Sequence, residues 1–332
     1  MLSTVTPDEA LKISAAAFGG LRTPAESCPL AEALGRVLAE DIESPEYVPG
    51  FDRSSVDGYA VAAADTFGCS ESSPALLRLR GRVEMGRAPE FALAPGECAA
   101  IPTGGRLPEG ADAAVMLEYS EDYGGGLIGL TKSAAPGQNV VFRGDDAAPG
   151  RAVLRAGRRL RAADIGALAA MGITEPAVRR RPLVGILSTG DELVPPDRVP
   201  GPGEVRDVNA PMLCALVRGC GGEPVELGIV RDEIEALDAA VGGALERCDI
   251  LIITGGSSAG ERDSVSRVIS ARGRLLFHGL AMRPGKPAML GDIGGKPVFG
   301  LPGHPGAAYF TARLLVAAQI RSMLGLEAQP RR

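Results

Sequence analysis

After Arg179-Arg180-Arg181-Pro182 the chain settles into short apolar runs separated by helical segments. No other feature constrains its fold as much. Residues 183–187, 225–230, 250–253, 275–277 and 298–299 read as strands. Residues 233–246, 265–270 and 307–324 read as helices, as does a segment from Asn209, its expected cap, to about Arg218. Strands with so little polar character have no face to offer water. Alternating with helices, they predict a mostly parallel sheet flanked by helices on both faces.

The stretch before this has another texture. Residues 59–62, 76–83, 113–117, 127–130 and 140–142 are short apolar or alternating runs between Gly/Pro-rich turns, which predicts an irregular all-β domain. Ahead of it, Thr6-Pro7-Asp8-Glu9 reads as a capping box opening a helix that Gly19-Gly20 ends. A second short helix is expected over 30–38, and another over 160–171. The fold class is therefore multidomain α+β. The expected division is a helical, linking domain (1–45 with 151–181), a β-rich domain (46–150) and an α/β domain (182–326).

With 332 residues at 45% hydrophobic, the chain can bury more than one core, and those cores must be aliphatic because tryptophan is absent. A net charge of -6 argues against a general nucleic-acid surface. The arginine run reads as an exposed domain junction. The six cysteines form no C-x-x-C pair, and only His278 and His304 are available beside them. Free thiols in a reducing cytoplasm are the expectation, rather than a zinc site or a disulfide framework. No secretory signal or membrane span is expected.

In open α/β sheets, ligands bind beyond the carboxyl ends of the strands. Four unusual loops fall there: Ser188-Thr189-Gly190-Asp191-Glu192, the TGGSSAG stretch at 254–260, Arg283-Pro284-Gly285-Lys286-Pro287, and Gly300-Leu301-Pro302-Gly303-His304-Pro305-Gly306. The second lacks both the Gly-Lys-Ser/Thr of a P-loop and the spacing of a dinucleotide site. Each loop alone can be a tight turn or a cap. Together they combine glycines that let backbone N–H groups approach an oxyanion, cations at Arg283 and Lys286, and acids at Asp191, Glu192 and Asp263. Those acids would repel a bare anion unless a hard cation such as Mg²⁺ lies between. Phosphoryl chemistry or oxyanion handling follows. The β-rich part carries compact polar loops of its own, around Asp57, Thr103 and Asp145-Asp146.

In order, FDRSSVDGYAV, IPTGGRLPEGADAAV, NVVFRGDDAAPG, STGDEL, TGGSSAGERD, RPGKP and GLPGHP resemble the molybdopterin molybdenumtransferase family, the MoeA type that includes the gephyrin E domain. The resemblance runs over roughly residues 7–325. It implies a transferase of molybdenum cofactor biosynthesis whose substrates are adenylylated molybdopterin and molybdate, with Mg²⁺ required and AMP released. It further implies a cytoplasmic homodimer whose cleft is shared between subunits, supplied by a molybdopterin adenylyltransferase-type protein. Matched residue by residue, the catalytic set is Asp57, Asp146, Glu192, Asp232, Asp263 and Lys286, with Glu192 and Asp263 at the metal. The ligand-binding set is Thr103, Ser188, Thr189, Gly190, Asp191, Gly255, Gly256, Ser258, Gly260, Arg283, Pro302, Gly303 and His304.

The chain departs from the family pattern in the TGGSSAG loop, where Ser257 and Ala259 stand in place of apolar or other small residues, and in two further places. His304 stands where the family usually has asparagine, and the sequence stops soon after its last helix, where relatives usually continue into a small β-domain. That last departure raises an alternative: a dimeric pterin-nucleotide-binding paralogue or scaffold with weak or no insertase activity. A third reading is phosphoanhydride cleavage on another nucleotide-linked substrate. The retained carboxylates favour an enzyme over a pure binder.

Overall fold

A computed structural model of the chain describes residues 4–255 and 264–326. The chain divides into two compact units: Met1–Glu40, Arg155–Ile165 and Thr174–Arg332 form one, and Asp41–Leu154 with Gly166–Ile173 the other. The fold is mixed, with one β-rich unit and one built on an α/β sheet.

The β-rich unit is organised by a six-stranded sheet of β1 (Gly58–Val61), β2 (Ala75–Arg82), β3 (Glu97–Ile101), β4 (Ala113–Met116), β5 (Ser120–Asp122) and β6 (Leu127–Leu130), in spatial order β4-β1-β3-β2-β6-β5. Only β2 and β3 pair in parallel. Val61, Leu77, Cys98, Val115, Ile128 and Leu130 pack into one cluster, and Ala60, Val83, Ala99, Ile101 and Ala114 into another. Ile42–Glu43 pairs antiparallel with Ala152–Leu154, so the segments entering and leaving the unit are joined to each other. Strand β3 is absent from the sequence reading because its Cys98-Ala99-Ala100 centre carries little apolar signal. Burial pushes the Cys98 thiol up to about 12, with the Glu97 charge adding to the effect.

In the second unit, helix α1 (Pro7–Phe18) opens with the expected capping box. The Glu9 N–H donates to Thr6 Oγ1 at 3.3 Å, and the Thr6 N–H donates to Glu9 Oε2 at 2.7 Å. The helix expected over 30–38 is not present. This segment has only a 3-10 turn, Leu30–Glu32; beyond it Gly35 takes φ 76°, and Val37 and Leu38 form β-bridges with Arg159 and Val178. These backbone pairings satisfy groups that a helix would have used internally. Helix α2 (Ala162–Ala170) agrees with the expected 160–171.

The main sheet of this unit contains β7 (Leu183–Thr189), β8 (Glu223–Val230), β9 (Ile250–Thr254), β10 (Arg274–His278), β11 (Met289–Ile293) and β12 (Lys296–Leu301), in spatial order β8-β7-β9-β12-β11-β10. Strands β8, β7, β9 and β12 are mutually parallel. Strand β11 runs antiparallel to both its neighbours, so β10 points the same way as the parallel four. The sequence reading missed β11. Its signal was Gly294-Gly295, both at positive φ, which form the two-residue turn of a hairpin whose strands pair Ile293 with Lys296.

Helices α3 (Asn209–Cys220), α4 (Ile234–Arg247), α5 (Ser264–Arg272), α6 (Pro305–Thr311) and α7 (Ala317–Met323) accompany this sheet. Ile250 and Ile252 pack with Leu213, Val217, Leu315 and Ile320, whereas Leu251 and Ile253 pack with Leu237, Val241, Val265 and Ile269. Alternate residues of β9 therefore serve two different cores, which is why the strand reads as continuously apolar. A π turn, Ala312–Val316, joins α6 to α7, and beyond it buried Gln319 accepts a hydrogen bond from Ser14 Oγ of α1 at 3.1 Å. Among the described residues, no helix is long and apolar enough to cross a membrane.

Asp249, just ahead of β9, ties the sheet's entry edge together. It accepts two hydrogen bonds from Arg180 Nη2, at 3.0 and 2.9 Å, and one from the Leu183 N–H at 2.7 Å. Asp249→Ala should cost about 2 kcal/mol, within the range for hydrogen bonds to a charged group. A urea melt should show a lower midpoint with an unchanged slope. An unaltered midpoint would mean that the carboxylate is dispensable to the sheet.

Candidate functional site

Because β7, β9, β10 and β12 share a direction, their carboxyl ends lie along one edge of the sheet. Ser188 and Thr189 end β7 and are buried, and neither side-chain hydroxyl has a hydrogen-bond partner among the described residues. Gly255 follows β9 at φ 96°, and a Cβ there would lie 1.9 Å from the Thr189 carbonyl oxygen. Only glycine permits this approach of β9's end to β7's. Gly256, Ser258, Gly260 and Asp263 lie outside the described residues.

The acids gather beyond β7 and β8. The Asp232 N–H donates to Asp191 Oδ1 at 3.4 Å, and Ser264 Oγ donates a short hydrogen bond to Asp232 Oδ1. The Glu192 carboxylate folds back over Gly190, where a Cβ would meet its Oε2 at 2.8 Å. Among the described residues, no three His, Cys, Asp or Glu side chains cluster closely enough to hold a metal on their own. The donor set is all oxygen. It fits Mg²⁺, which takes one or two carboxylates and completes its shell with water and substrate phosphate.

The cations come from the loop after β10. Arg283 and Lys286, both exposed, line one open cavity with Leu280 and Met282. Gly285 between them takes φ 128°, and a Cβ there would meet Thr311 Oγ1 of α6 at 2.8 Å. The loop after β12 supplies buried Pro302 and exposed Gly303 and His304. His304 occupies the N-cap of α6, without a side-chain capping bond.

Asn209 holds these loops together in a way the sequence did not reveal. It is 5% exposed, and its Nδ2 donates to Thr254 Oγ1 at 3.1 Å and to the Gly303 carbonyl oxygen at 2.8 Å. The amide thus joins the ends of β9 and β12. It does not cap α3 as expected. That role falls to Asp207, whose Oδ1 accepts the N–H groups of Asn209 and Ala210 at 3.0 and 3.1 Å. The only signal was the D-x-N spacing in Val205-Arg206-Asp207-Val208-Asn209, which offers two caps for one helix start.

In the β-rich unit, exposed Asp57 precedes β1, and its Oδ1 accepts the Thr103 N–H at 2.7 Å, so those two expected site residues are brought together. Asp146 is exposed on another loop, where its N–H donates to the Val48 carbonyl oxygen at 2.9 Å.

Comparison with known proteins assigns both parts of the chain. Residues 5–172 match the family model of the MoeA N-terminal region (domains I and II), and residues 185–322 match that of a probable molybdopterin binding domain. A molybdopterin molybdenumtransferase of Bacillus subtilis is 36% identical over 299 residues, covering 89% of this chain and 70% of that protein. One from Nostoc is 37% identical over 298 residues, covering 89% of this chain and 68% of that protein. The crystal structure of a Pyrococcus horikoshii molybdopterin biosynthesis MoeA protein superposes with a TM-score of 0.86 at 41% identity, covering 98% of this chain and 81% of that one.

The bridge made by Asn209 sets an expectation. Asn209→Ala should destabilise the unit by about 1–3 kcal/mol, because it strands the buried Thr254 hydroxyl and the Gly303 carbonyl. Asn209→Asp should be at least as damaging, since an ionised carboxylate has no N–H to give that carbonyl. Chemical denaturation of both variants tests this, and a near-native Asn209→Asp protein would show that the amide donor is not what matters.

Proposed function

Since this chain belongs to the molybdopterin molybdenumtransferase (MoeA) family, and is a molybdopterin-binding transferase of molybdenum cofactor biosynthesis, we propose that it inserts molybdate into adenylylated molybdopterin with release of AMP and a requirement for Mg²⁺. One observation carries this reading. Glycine-rich and cationic loops and carboxylates converge on the carboxyl edge of a single, mostly parallel sheet, a combination that a pure anion binder has no use for.

Each group has a role there. Backbone N–H groups around Gly190 and Gly255, with the hydroxyls of Ser188 and Thr189, would receive phosphate oxygens of the ligand. Arg283 and Lys286 would neutralise charge that grows on the phosphoryl oxygens as the anhydride opens. Glu192, with Asp191 and Asp232 on the neighbouring loops, would hold Mg²⁺, joined by Asp263 on the family resemblance. When bound, the ion supplies charge neutralisation at the diphosphate. Asp232 keeps its orientation through Ser264. Asp57, Thr103 and Asp146 are assigned to the same reaction on the family resemblance alone, and Pro302, Gly303 and His304 to pterin binding. The division into a linking, a β-rich and an α/β domain, the homodimer, the cytoplasmic setting and an adenylyltransferase-type donor complete the proposal.

The test incubates the full chain with adenylylated molybdopterin, Mg²⁺ and molybdate. AMP is followed by chromatography, and cofactor separately by reconstitution of an apo-molybdoenzyme. Both products should form, and AMP release without cofactor would reject the insertase reading. Lys286→Met should lower kcat by about 10²–10³ with a smaller change in substrate affinity, the scale on which one charge-stabilising donor acts. Asp232→Asn should raise the Mg²⁺ concentration needed for half-maximal rate, and an unchanged Mg²⁺ response would remove Asp232 from the metal's surroundings. Light scattering should give the mass of two copies.

A further inference from the structure

The opposite edge of the sheet holds a feature that the transferase reading leaves unused. A cavity of about 80 Å³ is lined by the side chains of Arg36, Arg159, Arg179, Arg181, Arg218 and Cys220, among others. Arg181 lies just before β7, and Cys220 ends α3 ahead of β8, so the cavity is at the amino ends of the strands. The phosphate-side contacts proposed on Ser188, Thr189, Arg283 and Lys286 lie at the other edge of this sheet.

Few acids answer these five guanidiniums. Arg36 pairs with Glu26, and Arg181 reaches Glu223 only at 4.0 Å with both side chains nearly half exposed. Arg179 spends its donors on the carbonyl oxygens of Thr23 and Ala39, which fixes the group without neutralising it. Arg159 uses its Nε on the Gly35 carbonyl oxygen at 3.2 Å. The Arg218 side chain has no hydrogen-bond or ion-pair partner among the described residues. Of the five, only Arg218 lies in the last turn of a helix, where a cation is favoured. The Val217 and Arg218 carbonyls there already receive the N–H groups of Gly222 and Gly221. Burial pushes the Cys220 thiol up, against the opposing pull of Arg321 and Arg313 outside the cavity and of Arg159 in its lining.

We propose that this arginine-lined cavity is a binding site for a tetrahedral, doubly charged oxyanion of the phosphate class. The size agrees, since a single water needs roughly 10–15 Å³ by the same kind of measure, leaving space for several waters or one such ion. The chemistry agrees as well. Planar guanidinium forks match pairs of phosphate oxygens, and the fixed Arg179, beside the Glu26-paired Arg36, faces the freer Arg159 and Arg218. The site is independent of the transferase reading and stands or falls separately.

The experiment titrates inorganic phosphate into the full chain at constant ionic strength, with chloride as the matched control, and reads heat of binding and melting temperature. Wild-type protein should bind phosphate and melt higher. Lys286→Gln, altered only at the carboxyl edge, should retain this cavity's phosphate binding. The double variant Arg159→Gln/Arg218→Gln should bind phosphate at least tenfold more weakly, while Arg218→Lys should stay within a few-fold of wild type. Should the double variant not fold, Arg218→Gln alone, at an exposed side chain without a partner, should still weaken binding several-fold. Phosphate binding that survives in the cavity variants, or that vanishes in Lys286→Gln, would overturn the proposal, as would a wild-type protein that responds equally to chloride.

Discussion

The parallel ladder of β7, β9 and β12 is the constraint from which the rest of the second unit follows. Residues Ile250 to Ile253 have no exposed surface, and Thr254 has 1%. A strand closed on both faces can change only at its ends. Parallel pairing then gives those ends a direction and sends every segment leaving a carboxyl terminus to the same edge. The loops that carry acids, glycines and cations are neighbours because their strands are, although they are scattered over more than a hundred residues of sequence.

That edge is held by polar contacts, whereas the interior is held by aliphatic packing. Asn209 joins the ends of β9 and β12 through one amide, and Asp232 is steadied by Ser264. Such buried or half-buried contacts are stronger than their solvent-exposed equivalents, and they fix geometry that packing of Ile, Leu and Val leaves free. Acids and cations would oppose one another's ligands if they were mixed. They are instead supplied by different loops, the acids beyond β7 and β8 and the cations beyond β10. The amino edge, by contrast, has a cavity lined by five arginines, beside the Asp249–Arg180 pair.

Much of this was legible in the sequence, for identifiable reasons. The strands 183–187 and 250–253 announced themselves because burial on both faces removes every polar position. Thr6 and Glu9 announced α1 because a capping box is local chemistry. What stayed hidden depended on distant partners. Residues 30–38 have the composition of a helix, yet Val37 and Leu38 bridge to Arg159 and Val178, far along the chain. Strand β11 was hidden behind Gly291 and Asp292, although its Gly-Gly hairpin turn was in plain view. Seven short motifs nominated the candidate site's residues, but the bridge from Asn209 to Thr254 and Gly303 links positions 45 and 94 apart. No local pattern encodes that.

The π turn at Ala312–Val316 has a consequence for how this chain tolerates change in length. Such a turn holds one residue more than the regular spiral needs, so it shifts the angular phase of everything after it by about 100°. Gln319 meets Ser14 only in that shifted phase. Removing one residue between Thr311 and Ala317 would leave a smoother helix, yet it would turn Gln319 off Ser14 and bring its neighbours round in its place. In this segment reading frame and rotational frame are the same quantity, and a tidier helix would be the wrong one.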